Sequence, residues 1–316
     1  MSLSSPGYLW LSLTRYANKR TRKSRLLRRA GIWTYSSVLR ANVFLPPPRV
    51  LLNGPPKSGT HLLSDCVSLM PRMMFSGRHF ALTDFFTEPA VRPDGRPYEP
   101  GTYPALDRRR LRGFLRKCPQ GMFATAHAAY HPEFKTLIEE LRLRHVVLLR
   151  DPRDLVVSQA FYIKREPLHY HNRYFAETLE SDEDRIMTCI RGLAPGISSH
   201  KELFSIGELF EGFLPWLADD STLVVRFEDL VGARGGEDDE RQLDEVVRIG
   251  EFVGRPMTRR QAGWIAGKMY GKASLTFRKG QTGDWRNHFT EAHRHAFKEE
   301  TGDLLVRLGY ERDQNW

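Results

Sequence analysis

The chain has 316 residues, 41% of them hydrophobic and 27% charged, enough for one large α/β domain or two small ones around a substantial core. No apolar run approaches the about 18 residues of a membrane-spanning helix. The three cysteines, Cys66, Cys118 and Cys189, are too scattered for a zinc site or a disulfide framework, which points to a reducing, cytoplasmic setting. The net charge of +10 is concentrated: residues 1–45 hold nine Lys and Arg, and Asp65 is the first acidic residue. The rest of the chain is near neutral, which argues against specific nucleic-acid binding as its function.

Residues 1–45 read as a basic N-terminal arm, separate from a single domain over 46–316. Its apolar run, Tyr8–Leu13, precedes the basic cluster Arg15–Arg29, the reverse of a secretory signal. Three readings of the arm stand side by side: peripheral contact with an anionic membrane, an organelle transit peptide, or a basic extension without packed structure. "LPPPR" (Leu45–Arg49) is a stiff extended linker. "RVLLNG" (Arg49–Gly54) is a short apolar run ending in glycine, as a buried strand does. Leu62, Leu63, Cys66, Val67 and Met70 then recur at helical spacing until Pro71 stops them. Thr87–Pro104 is rich in Pro and Gly and predicts a long surface loop. Within Arg144–Arg165, "HVVLL" predicts a second strand, "RDP" a turn, and Leu155 to Tyr162 a helix. Thr222–Leu230 predicts a third strand, Gly232–Glu240 an exposed loop, and Leu243 to Phe252 an amphipathic helix. Strands alternating with helices predict an α/β fold: a central parallel sheet flanked by helices, with ligand loops at the strands' C-terminal ends.

Three segments carry candidate chemistry. In "LLNGPPKSGTHLL" (Leu51–Leu63), Gly54 and Gly59 have the separation of a triphosphate loop, G-x-x-x-x-G-K-[ST]. Yet Thr60 follows the second glycine, and the lysine is Lys57. Backbone N–H groups at a helix N-terminus bind anions, Gly59 allows close approach, and Lys57, Ser58 and Thr60 add donors. The bland alternative is a tight turn that binds nothing. In the second segment Arg150 and Ser158 form a second anion site, or else Arg150 and Arg153 simply pair with Asp151 and Asp154. In the third, "LTFRKGQTGDWRNHFT" (Leu275–Thr290), Arg278, Lys279 and Gly280 join cations to a permissive backbone. Trp285 and Phe289 supply aromatic surface there. A solvated basic loop is the alternative.

Taken in order, the three segments resemble the signatures of the sulfotransferases that use 3′-phosphoadenosine 5′-phosphosulfate (PAPS), most nearly the cytosolic branch. "PPKSGTHLL" is similar to that family's P-K-S-G-T phosphosulfate loop. "LLRDPRDLVVSQAFY" resembles its 3′-phosphate segment, and "FRKGQTGDWRNHFT" its R-K-G-x-x-G-D-W-K-N-x-F-T block. The likeness spans residues 49–310 and implies a P-loop-like strand–loop–helix that binds PAPS and releases 3′,5′-adenosine diphosphate (PAP). By resemblance, Lys57 lies beside the bridging oxygen that gains charge as the bond to sulfur breaks. Ser58, Gly59, Thr60 and His61 donate to the phosphosulfate. Arg150, Ser158, Arg278, Lys279 and Gly280 hold the 3′-phosphate, and Phe227 lies against adenine. "MFATAHAAYHPEF" resembles the K-T-H-x-P segment, which makes His127 the general base, with His131 the weaker choice. The resemblance thus implies a catalytic set of His127, Lys57 and Ser158, no metal, and in-line transfer to a small-molecule, sugar or lipid hydroxyl. The chain departs from the family's pattern at several places: Thr125 replaces its Lys, Leu62 its adenine-packing Trp, the stretch before Arg278 is short, and of the dimer segment K-x-x-x-T-V-x-x-x-E only Thr290 matches. A P-loop nucleoside or nucleotide kinase, and a non-catalytic PAPS-fold binding protein, remain as alternatives.

Overall fold

The computed structural model describes residues 48–88, 103–199, 201–270 and 280–316. The basic arm, the middle of the Thr87–Pro104 loop, and Arg278 and Lys279 lie outside the described residues.

Five strands, β1 (Arg49–Asn53), β2 (Met74–Ala81), β3 (Met122–His127), β4 (Leu143–Leu149) and β5 (Thr222–Arg226), form one sheet in the order β2-β3-β1-β4-β5. Every pairing is parallel. The helices in chain order are α1 (Thr60–Leu69), α2 (Arg108–Arg116), α3 (Pro132–Glu140), α4 (Pro152–Arg165), α5 (Asp182–Arg191), α6 (Ile206–Glu211) and α7 (Leu214–Leu217). They continue with α8 (Phe227–Val231), α9 (Asp239–Phe252), α10 (Arg259–Met269), α11 (Glu291–Thr301) and α12 (Leu304–Arg307).

Alternation along the strands explains the layers. On β1, Val50 and Leu52 face a core shared with α1, α9 and α10, while Leu51 faces a second core shared with α3, α4 and α11. Both faces are therefore covered, as the apolar strands require. β1 is central, with β3 on one side and β4 on the other, so the chain order reverses beside it. The loops after β1, β3 and β4 meet at that switch point.

Three expectations need correction. The third strand does not run to Leu230; it ends at Arg226, and Phe227 opens α8 with Glu228 and Asp229 in its first turn. Acidic residues there suit the helix dipole, so the apolar run of "TLVVRFEDL" conceals a strand-to-helix boundary. Trp285 and Phe289 do not supply surface: they are 3% and 8% exposed and pack with Phe297 and Trp316. The 232–240 segment is not wholly an exposed loop, since Gly235 is buried in a short turn and Asp238 caps α9. The edge strand β2 has no counterpart among the expected strands.

Candidate active site

The loop between β1 and α1 closes tightly. A Cβ on Gly54 would lie 2.4 Å from the carbonyl oxygen of Leu148, so only glycine passes beneath β4. Ser58 N–H donates to the Pro55 carbonyl at 3.2 Å. Lys57 adopts φ 71°, a left-handed conformation that costs a non-glycine residue about 1–2 kcal/mol. Such strain marks a position held by its surroundings. The Lys57 ammonium rests 3.9 Å from the centre of the Tyr162 ring on α4. The hydroxyls of Ser58 and Thr60 are buried and have no hydrogen-bond partner among the described residues. Unpaired buried donors above a helix N-terminus are what an anion would satisfy.

The second segment sits one strand away. Arg150, 7% exposed, follows β4; its guanidinium donates to the Gln281 carbonyl at 2.8 Å and lies 3.9 Å from Asp154. The Arg150 Nε is buried and unpartnered. Asp154 accepts from Gly283 N–H at 2.7 Å and from Trp285 N–H at 2.9 Å, so the third segment is pinned to the second. Gly280, with φ 64°, accepts from the Tyr270 hydroxyl at 2.8 Å and so also lies in this neighbourhood. Ser158 is buried one turn after Asp154 and one turn before Tyr162, which puts all three on one face of α4.

Phe227 joins the two loops. Its ring approaches Gly59 so closely that a Cβ there would lie 2.5 Å away, and the Arg150 guanidinium lies 4.4 Å from its centre. Gly59 itself has φ 103°.

His127 closes the other side. It ends β3, and its Nδ1–H donates to the Gly54 carbonyl at 2.8 Å. A carbonyl oxygen only accepts, so the proton belongs on Nδ1 and Nε2 carries the lone pair. Burial, the neighbouring His79 and Lys57 push the His127 pKa down to about 4, against the opposing pull of the Gly54 hydrogen bond. The neutral imidazole is therefore the form present near neutral pH.

A model of the sulfotransferase domain matches residues 47–309. The chain belongs to the sulfotransferase family. It is 28% identical over 168 residues to Sulfotransferase 6B1 of Danio rerio, covering 46% of this chain and 47% of that protein. It is 26% identical over 185 residues to Sulfotransferase 2A2 of Rattus norvegicus, covering 55% and 60%. The matches thus span about half the length of these curated relatives. A solved mouse sulfotransferase, SULT7A1 complexed with PAP, shares the fold with TM-score 0.54 and 17% identity, over 83% of this chain and 88% of that one. Retinol dehydratase in complex with retinol and PAP aligns with TM-score 0.51 and 19% identity, over 84% and 83%.

The residues of this sulfotransferase-family chain fit PAPS on the chemistry of the site alone. Two orphaned hydroxyls, a cradle that a Cβ on Gly59 would fill, and an arginine with an unpartnered Nε converge around Phe227. Of the expected binding residues, Lys57, Ser58, Gly59, Thr60, Arg150 and Phe227 come together through these contacts, with Ser158 and Gly280 nearby. His61 is exposed at the start of α1. His131 is not drawn in. It caps α3, its Nδ1 accepting from Glu133 N–H at 3.2 Å while its Nε2–H donates to the Pro104 carbonyl at 3.1 Å. Both ring nitrogens are spent on structure.

Sequence reasoning missed three contributors. Asn53 staples the end of β3 in place: its amide donates to the Ala128 carbonyl at 2.8 Å and accepts from Ala128 N–H at 2.9 Å, one residue beyond His127. Tyr162 was legible as part of α4 but not as the seat of Lys57. His79, on β2, donates or accepts at 3.0 Å with Thr125, the position where the family has Lys. Its ring meets His127 edge-on at 4.9 Å. No periodicity marks His79, because β2 is an edge strand with polar and small residues in its middle.

Proposed function

We propose that the protein is a PAPS-dependent sulfotransferase that acts on a hydroxyl acceptor. The observation that carries this reading is Phe227, whose ring touches both the Gly59 loop and Arg150. Two anion-seeking sites bridged by one aromatic face suit a ligand with a planar base and separate 5′- and 3′-anionic groups. A triphosphate site needs no second cationic loop and sets its lysine after the second glycine.

PAPS, when bound, supplies an activated sulfuryl group on a phosphate leaving group. Lys57, Ser58, Gly59, Thr60 and His61 would hold its 5′ end. Arg150 and Ser158, with Arg278, Lys279 and Gly280, would hold the 3′-phosphate. His127 accepts the acceptor's hydroxyl proton on Nε2, since Nδ1 is committed to Gly54. The cation of Lys57 stabilises negative charge that grows on the departing side, and Tyr162 restrains the lysine's reach. No metal is invoked; among the described residues no His, Cys, Asp or Glu cluster suits one. The acceptor is a small molecule, sugar or lipid bearing a hydroxyl. Complexes of retinol dehydratase, which shares the fold, with retinol and with androsterone support a small-molecule acceptor.

Calorimetric titration with PAP, 5′-AMP and ATP tests the reading. PAP should bind at least about tenfold more tightly than the other two, and Arg150→Ala should erase that preference. Equal binding of all three would remove the basis for the assignment.

A further inference from the structure

Helix α2 forms a cationic face next to the catalytic edge of the sheet. Residues Arg108 to Lys117 include five arginines and one lysine, with no carboxylate among them. Like charges three and four residues apart destabilise a helix, so packing alone does not account for them. Packing needs only Leu111 and Leu115, which are buried. Three of the cations are engaged: Glu140 pairs with Arg108 and Arg112, and Arg110 donates to the Asp84 carbonyl at 3.0 Å. Arg109, Arg116 and Lys117 are exposed and have no carboxylate partner among the described residues.

A cleft of about 750 Å³ opens between α2, the end of β2 and the turn Leu82–Phe85, the size of a small-ligand site. Arg109, Arg110 and Lys117 line it, with His79, Asp84 and Asp107. Both carboxylates already serve the backbone. Asp84 accepts from Ala81 N–H at 3.0 Å, and Asp107 caps α2 by accepting from Arg110 N–H at 2.9 Å. His79 both lines the cleft and meets His127, its ring 4.9 Å from the imidazole of the proposed base. One side chain, His79, therefore stands between this cleft, with its unpaired cations, and the proposed general base.

We propose that this cleft holds an anionic group, a carboxylate or sulfate, carried by the acceptor whose hydroxyl reaches His127. The inference rests on the sulfotransferase reading and narrows its substrate class to acidic acceptors, such as uronic-acid-bearing or already sulfated sugars. Arg109 and Lys117 would supply the charge, and the half-buried Phe114, backed by the buried Phe80 and Phe85, would give the apolar floor.

The test compares umbelliferyl glucuronide with umbelliferyl glucoside, which differ in one carboxylate, by calorimetry on the full chain saturated with PAP. The glucuronide should bind at least about tenfold more tightly. Arg109→Ala with Lys117→Ala should abolish the preference, while Arg116→Ala, on the same helix but off the cleft, should leave it intact. PAP affinity should be unchanged in all three chains. Equal affinity for the two glycosides, a preference indifferent to the double substitution, or no binding of the glucuronide while PAP still binds would each overturn the acidic-acceptor proposal and leave the sulfotransferase reading standing. Loss of PAP binding by the unaltered chain would instead remove that reading.

Discussion

His127 and Gly54 are joined by a hydrogen bond of 2.8 Å between the imidazole Nδ1–H and the loop carbonyl. One contact thus fixes the tautomer of His127, the proposed base, and ties it to the loop that carries Lys57. Burial first, then His79 and Lys57, bring the His127 pKa down to about 4. A base works only when neutral, so activity is retained above that value and lost as pH falls through it. The kcat/KM for PAPS reports the free enzyme. It should therefore hold down to about pH 5 and decline only as pH nears about 4, provided the fold survives, as circular dichroism at each pH would establish. An acid limb near the ordinary histidine value of about 6.5 would assign the base elsewhere.

Gly59 is committed twice, by φ 103° and by the Phe227 ring that a Cβ would meet at 2.5 Å. Gly59→Ala should lower stability by about 1–3 kcal/mol and weaken PAP binding at least about tenfold. The double variant with Phe227→Ala should recover little binding, because the clash is relieved but the left-handed backbone remains and the face beside Arg150 is gone. Urea melts and PAP titration would decide; wild-type affinity in Gly59→Ala would mean that the loop does not need its observed shape.

The parts of this design that were legible in the sequence are those written in local order. Gly-Pro-Pro-Lys-Ser-Gly-Thr (Gly54–Thr60) after an apolar run announces a strand, an anion loop and a helix, and that is how Arg49–Leu69 folds. The strand-to-helix break at Phe227 was hidden because no glycine or proline marks it within "VVRFEDL"; only Glu228 and Asp229 hint at a helix start. Non-local partners left no local trace. Nothing adjacent to Asn53 says that its amide will grip Ala128, and nothing near His79 says that parallel pairing with β3 will set it opposite Thr125. Such relations come from register, which a single chain's pattern does not state.

Lys57 and Tyr162 give a prediction that separates rate from binding. If the cation acts on charge that develops during transfer, Lys57→Met should lower kcat by about 100- to 1,000-fold while PAP affinity falls far less. Tyr162→Leu leaves the charge but removes the ring 3.9 Å from it, and should lower kcat by about tenfold with PAP affinity unchanged. Paired turnover and titration measurements check both. A Lys57→Met variant that loses PAP affinity in proportion to kcat would make the lysine a binding group only.

Asn53 is fully buried, and its amide serves the Ala128 backbone while lying 3.2 Å from His145 Nε2. Asn53→Ala orphans the Ala128 N–H and removes the partner of His145 Nε2, while the Ala128 carbonyl keeps the Trp216 indole N–H at 3.2 Å, so the cost should be about 1–3 kcal/mol in urea denaturation. The variant should also turn over more slowly, because the segment that aims His127 is no longer held, while PAP binding persists. Unchanged kcat in a destabilised Asn53→Ala chain would confine the residue to the core.

Arg153 shows how far the segment after β4 depends on Trp316 and its neighbours. It is 2% exposed, paired with Asp151 at 2.8 Å, and lies 4.1 Å from the Trp285 ring and 4.6 Å from the Trp316 ring. Glu311 adds a further contact at 2.5 Å. A planar guanidinium fills this slot between two rings and a carboxylate, and an ammonium cannot do so. Arg153→Ala should therefore destabilise by about 3–5 kcal/mol, since it strands the buried Asp151 charge. Trp316→Ala should cost about 1–2 kcal/mol, and the two changes should fall short of additivity because they remove the same contact. The cluster also backs Trp285, whose N–H holds Asp154 beside Arg150. Loss of Trp316 should accordingly weaken PAP binding several-fold at a site the residue does not touch. A double-mutant cycle in urea, with PAP titration of each chain, measures both effects; strict additivity with full PAP affinity would reduce the C-terminal clamp to an independent surface contact.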